Sequence, residues 1–156
     1  MQLTLAHIGP KSPKQSAKSH YESLTRLYLD RIAPYHPIQS EAFATEAAFQ
    51  QWLQRQSGRT PALPILLHRE GRALPSTGLA TWLGQRRDQG TQHLVFSIGP
   101  PDGWSQETIA LIKPQQHLLL SFGPITLPHE LARLVLAEQL YRACTILAGH
   151  PYHSGH

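Results

Sequence analysis

The feature that most constrains this chain is a helical stretch near its C-terminus, residues 130–144, that is apolar almost all the way round. At 100° per residue, His129 and Arg133 share one side. Glu138, Arg142 and Thr145 share the opposite side, and nearly everything between them is apolar. A helix of that kind must be covered on most sides. In a chain of 156 residues such cover normally includes a second subunit. The segment Gly123-Pro-Ile-Thr-Leu-Pro-His129 leads into it. Thr126 is expected to cap the helix, with Pro128 in the first turn, where its missing N–H does no harm. Gly149 is expected to end it, and Pro151 prevents its continuation. Arg133 and Glu138 interrupt the stretch, which excludes a membrane span.

Upstream, short apolar runs alternate with helical periodicity. Residues 2–8 read as a strand that meets Gly9-Pro10. Residues 11–19 read as a mobile, Lys- and Ser-rich loop. Tyr21, Leu24, Leu27, Tyr28 and Ile32 mark a helix over 16–33, ended by Pro34 and Pro37. A strand follows at 38–42, then a helix capped by Thr45 that runs to Ser57-Gly58. Residues 64–67 form a buried strand, 68–72 a polar loop, and 76–88 a helix. Residues 93–98 form a strand, 105–111 a short helix, and 117–121 the last strand. This alternation predicts a single α/β domain over 1–156, its sheet mostly parallel and covered on both faces. Ligands of such sheets bind beyond the carboxyl ends of the strands, which puts Leu67, residues 99–103 and residues 121–126 on one rim.

Composition is that of a globular chain, with 40% hydrophobic and 15% charged residues. Of its 14 Lys and Arg, all but Lys113, Arg133 and Arg142 lie in residues 1–100, a distribution suited to a polyanion such as RNA. The net charge of +4 is modest, and taken alone it favours ordinary solubility over a polyanion partner. Cys144, the lone cysteine, excludes an internal disulfide, fits a reducing compartment, and reads as a small hydrophobe rather than a nucleophile. No secretory signal is visible, so the expected location is cytoplasmic.

Two Gly/Pro loops carry the ligand reading. Ile98-Gly-Pro-Pro-Asp-Gly103 is neither a dinucleotide fingerprint nor a P-loop. Its Gly99 permits close approach to a ligand, and Pro100 stiffens the turn. Ser121-Phe-Gly-Pro-Ile-Thr126 has the same character. Neither loop contains Lys or Arg, so a flat, uncharged group such as adenosine fits better than a triphosphate. Glu138 and Arg142 are spaced for an i,i+4 ion pair, which on a mostly buried helix calls for further partners. His150, His153 and His156 are evenly spaced, but without a Cys partner or nearby acids no metal is expected.

At these residues the chain resembles the SPOUT-class methyltransferases that act on a pseudouridine of large-subunit ribosomal RNA, the RlmH type. The resemblance spans the full length. It is strongest over residues 96–103 and 126–153, through Thr-Leu-Pro-His, Glu-Gln-Leu-Tyr-Arg-Ala and His-Pro-Tyr-His. It implies a C-terminal trefoil knot, a feature rare enough that no general rule predicts it. It also implies a homodimer binding S-adenosylmethionine and methylating N3 of a pseudouridine in 23S ribosomal RNA, at the helix 69 site. No DNA and no membrane partner are implied. Carried over by position, Leu67, Gly99, Pro100, Gly103, Gly123, Pro124, Ile125, Thr126, Leu127 and Pro128 line the cofactor pocket. His129 and Arg133 fall on the substrate side, and Arg142, Tyr152 and His153 are the catalytic group. Pro100 and Gly123-Pro124 depart from the family pattern. The alternative reading is therefore a knotted dimer that docks on the ribosome with weak or lost methylation, or a related enzyme with another RNA target.

Overall fold

A computed structural model describes residues 1–9, 17–58, 60–112 and 118–155. Elements alternate: β1 Gln2–Ile8, α1 Ala17–Ile32, β2 Ile38–Phe43, α2 Glu46–Ser57, β3 Ala62–Ala73, α3 Ser76–Asp88, β4 His93–Ile98, α4 Gln106–Ile112, β5 Leu119–Ser121 and α5 His129–Leu147. A short 3₁₀ turn, His153–Gly155, follows. The strands form one sheet in the order β2-β1-β4-β3-β5, and every pairing is parallel. The α/β class, the parallel sheet and the order of elements agree with the sequence reading. Of the loop expected over residues 11–19, residues 17–19 belong to α1, and residues 11–16, like His117 of the last strand, lie outside the described residues.

Alternate side chains of the central strands go to opposite faces. Leu3, Leu5, Leu94 and Phe96 pack beneath α1, α3 and α5 with Leu29, Leu83, Leu136 and Leu140. Ala6, Ile8, Leu66 and Val95 pack on the other face with Phe49, Trp104 and Ile112. Both faces are thus covered, and of the polar members of β1 only Gln2, at its start, is exposed. Thr4 is fully buried and its hydroxyl meets His93 Nε2 at 2.8 Å. Burial also pushes the pKa of His93 down, so that ring stays neutral.

Three local expectations need correction. The buried stripe of α1 is Thr25, Leu29 and Ile32, whereas Leu24 and Leu27 are 46% and 41% exposed. The apolar spacing was read correctly as helical, but it serves two faces. The polar segment 68–72 is not a separate loop. It belongs to β3, which continues to Ala73 through a bulge in which Leu67 and Arg72 both pair with Leu120. Finally, α5 begins at His129. Its N-cap is Pro128, which has no side-chain cap, so Thr126 does not cap the helix and Pro128 stands just before the first turn.

The other end of α5 closes as expected. Gly149 adopts φ 70°. Its N–H reaches the Ile146 carbonyl at 3.2 Å, and the His150 N–H reaches the Thr145 carbonyl at 2.9 Å, the paired bonds of a Schellman ending. This turn folds the tail back onto the last turns of α5. Along α5, Ala132, Leu136, Ala137, Leu140, Ala143 and Cys144 are buried against the sheet. Leu134, Val135 and Tyr141 stay half-buried.

Candidate functional site

The carboxyl edge of the sheet gathers the rim loops. After β4, Gly103 turns at φ 87° and its N–H is held by the Pro100 carbonyl at 2.8 Å. After β5, Gly123 turns at φ 89° and its N–H donates to Ser121 Oγ at 3.0 Å. Both turns need the left-handed backbone that glycine supplies. A Cβ at either glycine would meet nothing within 4 Å, so both turns face open space. Ile125 is 62% exposed beside them.

Gly99 behaves differently from its expected role. A Cβ there would sit 2.9 Å from three ring atoms of Trp104, so the close approach that glycine permits is made by an indole of the protein itself. Trp104 also donates its Nε1–H to the Leu67 carbonyl at 3.1 Å and packs on Phe49 at 5.3 Å. One side chain thereby locks the end of β3 to the loop after β4. Sequence reasoning missed it, although a tryptophan directly after a Gly/Pro turn was the available signal.

Beside the rim lies a cleft of about 470 Å³, bounded by the ends of β1 and β2, by α1, and by the start of α5. Arg133 forms one wall. It donates to Glu22 at 2.7 Å and to Ser40 Oγ at 2.6 Å, with its side chain only 8% exposed. Arg133 thus braces α5 against α1 and β2 as well as facing the cleft. His129 lies edge-on to His7 with ring centroids 5.6 Å apart, and burial lowers its pKa so that the ring is neutral. Glu22, Ser40 and His7 were not singled out from sequence. Their shared placement depends on the parallel pairing of β1 with β2, which local patterns do not reveal.

A second cluster occupies the opposite end of α5. Glu138 Oε1 accepts from Arg142 Nε at 3.0 Å, from Arg142 Nη2 at 2.8 Å and from the Tyr152 hydroxyl at 3.0 Å. Glu138 Oε2 accepts from Gln139 at 2.7 Å. Arg142 Nη1 meets His153 Nδ1 at 3.1 Å, and its guanidinium lies 4.9 Å from the centroid of the Tyr152 ring. The Arg142 and Glu138 side chains are 13% and 19% exposed. Burial, then hydrogen bonds with Tyr28 and Glu138, pushes the Tyr152 phenol well above its ordinary pKa. Tyr152 is therefore a donor at neutral pH, not a base. The structure places Arg142, Tyr152 and His153 side by side, and Glu138, paired with Arg142 as its i,i+4 spacing predicts, orients Arg142 and Tyr152. Nearby, burial pushes the Cys144 thiol up to about 12, so it stays protonated and inert.

The two clusters do not meet within one chain. Thirteen residues of α5 separate His129 from Arg142, and at the helical rise of 1.5 Å per residue that is roughly 20 Å. The rim carries no fixed cation, and the guanidinium cluster stands at the far end of the same helix.

Fold and rim together define a parallel α/β protein with a rim whose loops at 99–103 and 121–128 carry no Lys or Arg, and a separate, oriented Arg–Tyr–His group. The chain belongs to the SPOUT methyltransferase family: residues 1–153 match the family described as "Predicted SPOUT methyltransferase". Among curated relatives, the ribosomal RNA large subunit methyltransferase H of Koribacter versatilis (strain Ellin345) is 43% identical over 156 residues, covering all of both chains. The protein of the same name from Maricaulis maris (strain MCS10) is 52% identical over 136 residues, covering 81% of this chain and 85% of that one. A solved structure described as a hypothetical protein superposes with a TM-score of 0.51 at 15% identity, covering 94% of this chain and 68% of the other, which is a likeness of fold.

Proposed function

We propose that the protein is a cytoplasmic homodimer that methylates N3 of a pseudouridine in large-subunit ribosomal RNA, using S-adenosylmethionine, and that it acts on the assembled ribosome. The observation that carries this reading is the separation of the rim from the Arg142 cluster. An antiparallel pair of α5 helices would lay the Arg142, Tyr152 and His153 of one protomer over the rim loops of the other. The exposed Leu24 and Leu27 of α1, with the half-buried Leu134 and Val135 of α5, provide apolar surface for that pairing. The chain would reach this arrangement with its C-terminal segment passed through a trefoil knot.

The rim fits the cofactor's nucleoside. The glycine turns leave open space, and Leu67, Ile125 and Leu127 add apolar surface. Backbone groups of residues 99–103 and 123–128 serve as the polar partners, without a charged clamp. Bound S-adenosylmethionine supplies an electrophilic methyl group. The protein aligns the base and eases loss of its N3 proton. Arg142, already fixed by Glu138 and His153, stabilises the negative charge that develops on the base. Tyr152, its hydroxyl donated to Glu138, braces the guanidinium with its ring, while His153 holds the guanidinium and the base edge. His129 and Arg133 border the entry from the cleft.

Calorimetry with S-adenosylmethionine is expected to show binding, and radiolabelled methyl is expected in ribosomes that contain pseudouridine but not in ribosomes lacking it. Absence of cofactor binding at millimolar concentration would refute the enzymatic reading. Equal labelling of both ribosome preparations would refute the assigned target.

A further inference from the structure

β3 outruns its neighbour. Its pairing with β4 ends at Leu66, opposite Ser97, yet the strand continues to Ala73, looping out over residues 68–71 and returning to pair with β5 at the carboxyl edge of the sheet. The excursion is built around the bulge between Leu67 and Arg72. Three contacts set its shape. The Glu70 N–H donates to His68 Nδ1 at 3.0 Å. The Ser121 hydroxyl, which also accepts from the Gly123 N–H, donates to the Arg69 carbonyl at 3.3 Å. Gly71 lies against Leu119 so closely that a Cβ would fall 2.6 Å from its backbone. The arm is therefore tied to the rim loop at Ser121–Gly123.

Arg69 and Arg72 stand exposed on this arm, and neither makes an ion pair among the described residues. One acid, Glu70, lies between them. Residues 99–103 and 121–128 contain no Lys or Arg and one acid, Asp102. An RNA strand brought to this rim thus meets its fixed positive charge on the β3 arm. Bulges beside active sites commonly serve to re-aim side chains, and phosphate contacts position a nucleic acid without reading its sequence.

We propose that the β3 arm grips the phosphate backbone of the RNA substrate through Arg69 and Arg72, next to the rim where the cofactor binds. This rests on the methyltransferase reading of that rim. The arm sets affinity and register on the RNA, and it takes no part in the chemical step.

The test is an Arg69→Gln/Arg72→Gln double variant against assembled ribosomes, with binding measured across a range of salt. Each lost phosphate contact removes about 0.7–0.9 from the slope of log affinity against log salt. The expected slope is shallower by about 1.5, with KM for ribosomes raised about tenfold near 0.1 M salt. S-adenosylmethionine affinity and kcat stay within about twofold of wild type, because binding alone is altered. A control substitution of the exposed Arg55 on α2 leaves the slope unchanged. A double variant with wild-type slope and KM overturns the assignment, as does an equal shift in the Arg55→Gln control. If the wild type transfers no methyl while the double variant still flattens its salt slope, the arm assignment stands and the enzymatic reading falls.

Discussion

Replacing Arg142 with alanine is expected to lower kcat for methyl transfer by about 10²–10³-fold, the usual cost of removing one donor aimed at a developing anion. The cofactor dissociation constant is expected to stay within about twofold of wild type, because the guanidinium is assigned to the base and not to the cofactor's nucleoside. The substitution also leaves Glu138 without the two strongest of its donors. An unpaired, mostly covered carboxylate destabilises a fold, so lost activity has to be separated from lost structure. Arg142→Lys serves that purpose. It keeps the charge beside Glu138 but cannot hold both Glu138 and His153 in one plane. Near-wild-type melting with kcat still down more than tenfold is the expected result for lysine. Single-turnover methylation and a thermal melt on each variant check both statements, and full turnover by Arg142→Ala would remove that residue from the chemistry.

The second large effect is expected at Gly99. A valine there places its Cβ 2.9 Å from three atoms of the Trp104 ring, before its methyl groups are counted. The indole cannot retreat cheaply, being 6% exposed, packed on Phe49 and bonded to the Leu67 carbonyl. Overpacking of this sort costs about 1–3 kcal/mol. It also pushes apart the β3 end and the β4 loop, the two segments that the indole holds together. Gly99→Val is thus expected to lose S-adenosylmethionine binding by calorimetry while remaining folded. The Gly99→Val/Trp104→Leu double variant is expected to recover stability, since the smaller side chain makes room, without recovering full affinity. Tight cofactor binding by Gly99→Val alone would show that the indole does not organise the rim.

These two residues also mark how far the sequence could be read. The Glu138–Arg142 pair is legible because helical periodicity fixes which side chains share a face, whereas the role assigned to Arg142 rests on the family resemblance. The tail was legible because Gly149 and Pro151 dictate where the chain must turn, which brings Tyr152 and His153 back onto α5. A glycine after a strand signals close approach, as at Gly99, but local sequence does not say that the approaching group is the indole of Trp104. Arg133 was placed near the substrate, yet its Glu22 and Ser40 partners come from elements 111 and 93 residues away, and only strand order brings them together. The polar run 68–72 looked like a loop because its composition is that of a loop. What draws it into β3 is pairing with a strand some fifty residues later, assisted by a glycine with no room for a side chain. Thr126 satisfied the composition rule for a cap, but the two prolines on either side of it, Pro124 and Pro128, hold the approach to α5 extended until His129.

The central claim, a methylation site shared between two protomers, is tested most directly by complementation. Protein carrying Arg142→Ala has intact rim loops, and protein carrying Gly99→Val has an intact Arg142 cluster. Each alone is expected to be nearly inactive. Co-expressed in equal amounts with separate affinity tags and purified through both tags, the mixed dimer contains one complete site and one doubly defective site. It is expected to recover roughly half of the wild-type methylation rate per dimer, as a two-fold arrangement with one good site requires. A mixed dimer no more active than its parents would contradict the shared site and place both clusters' contributions within a single chain.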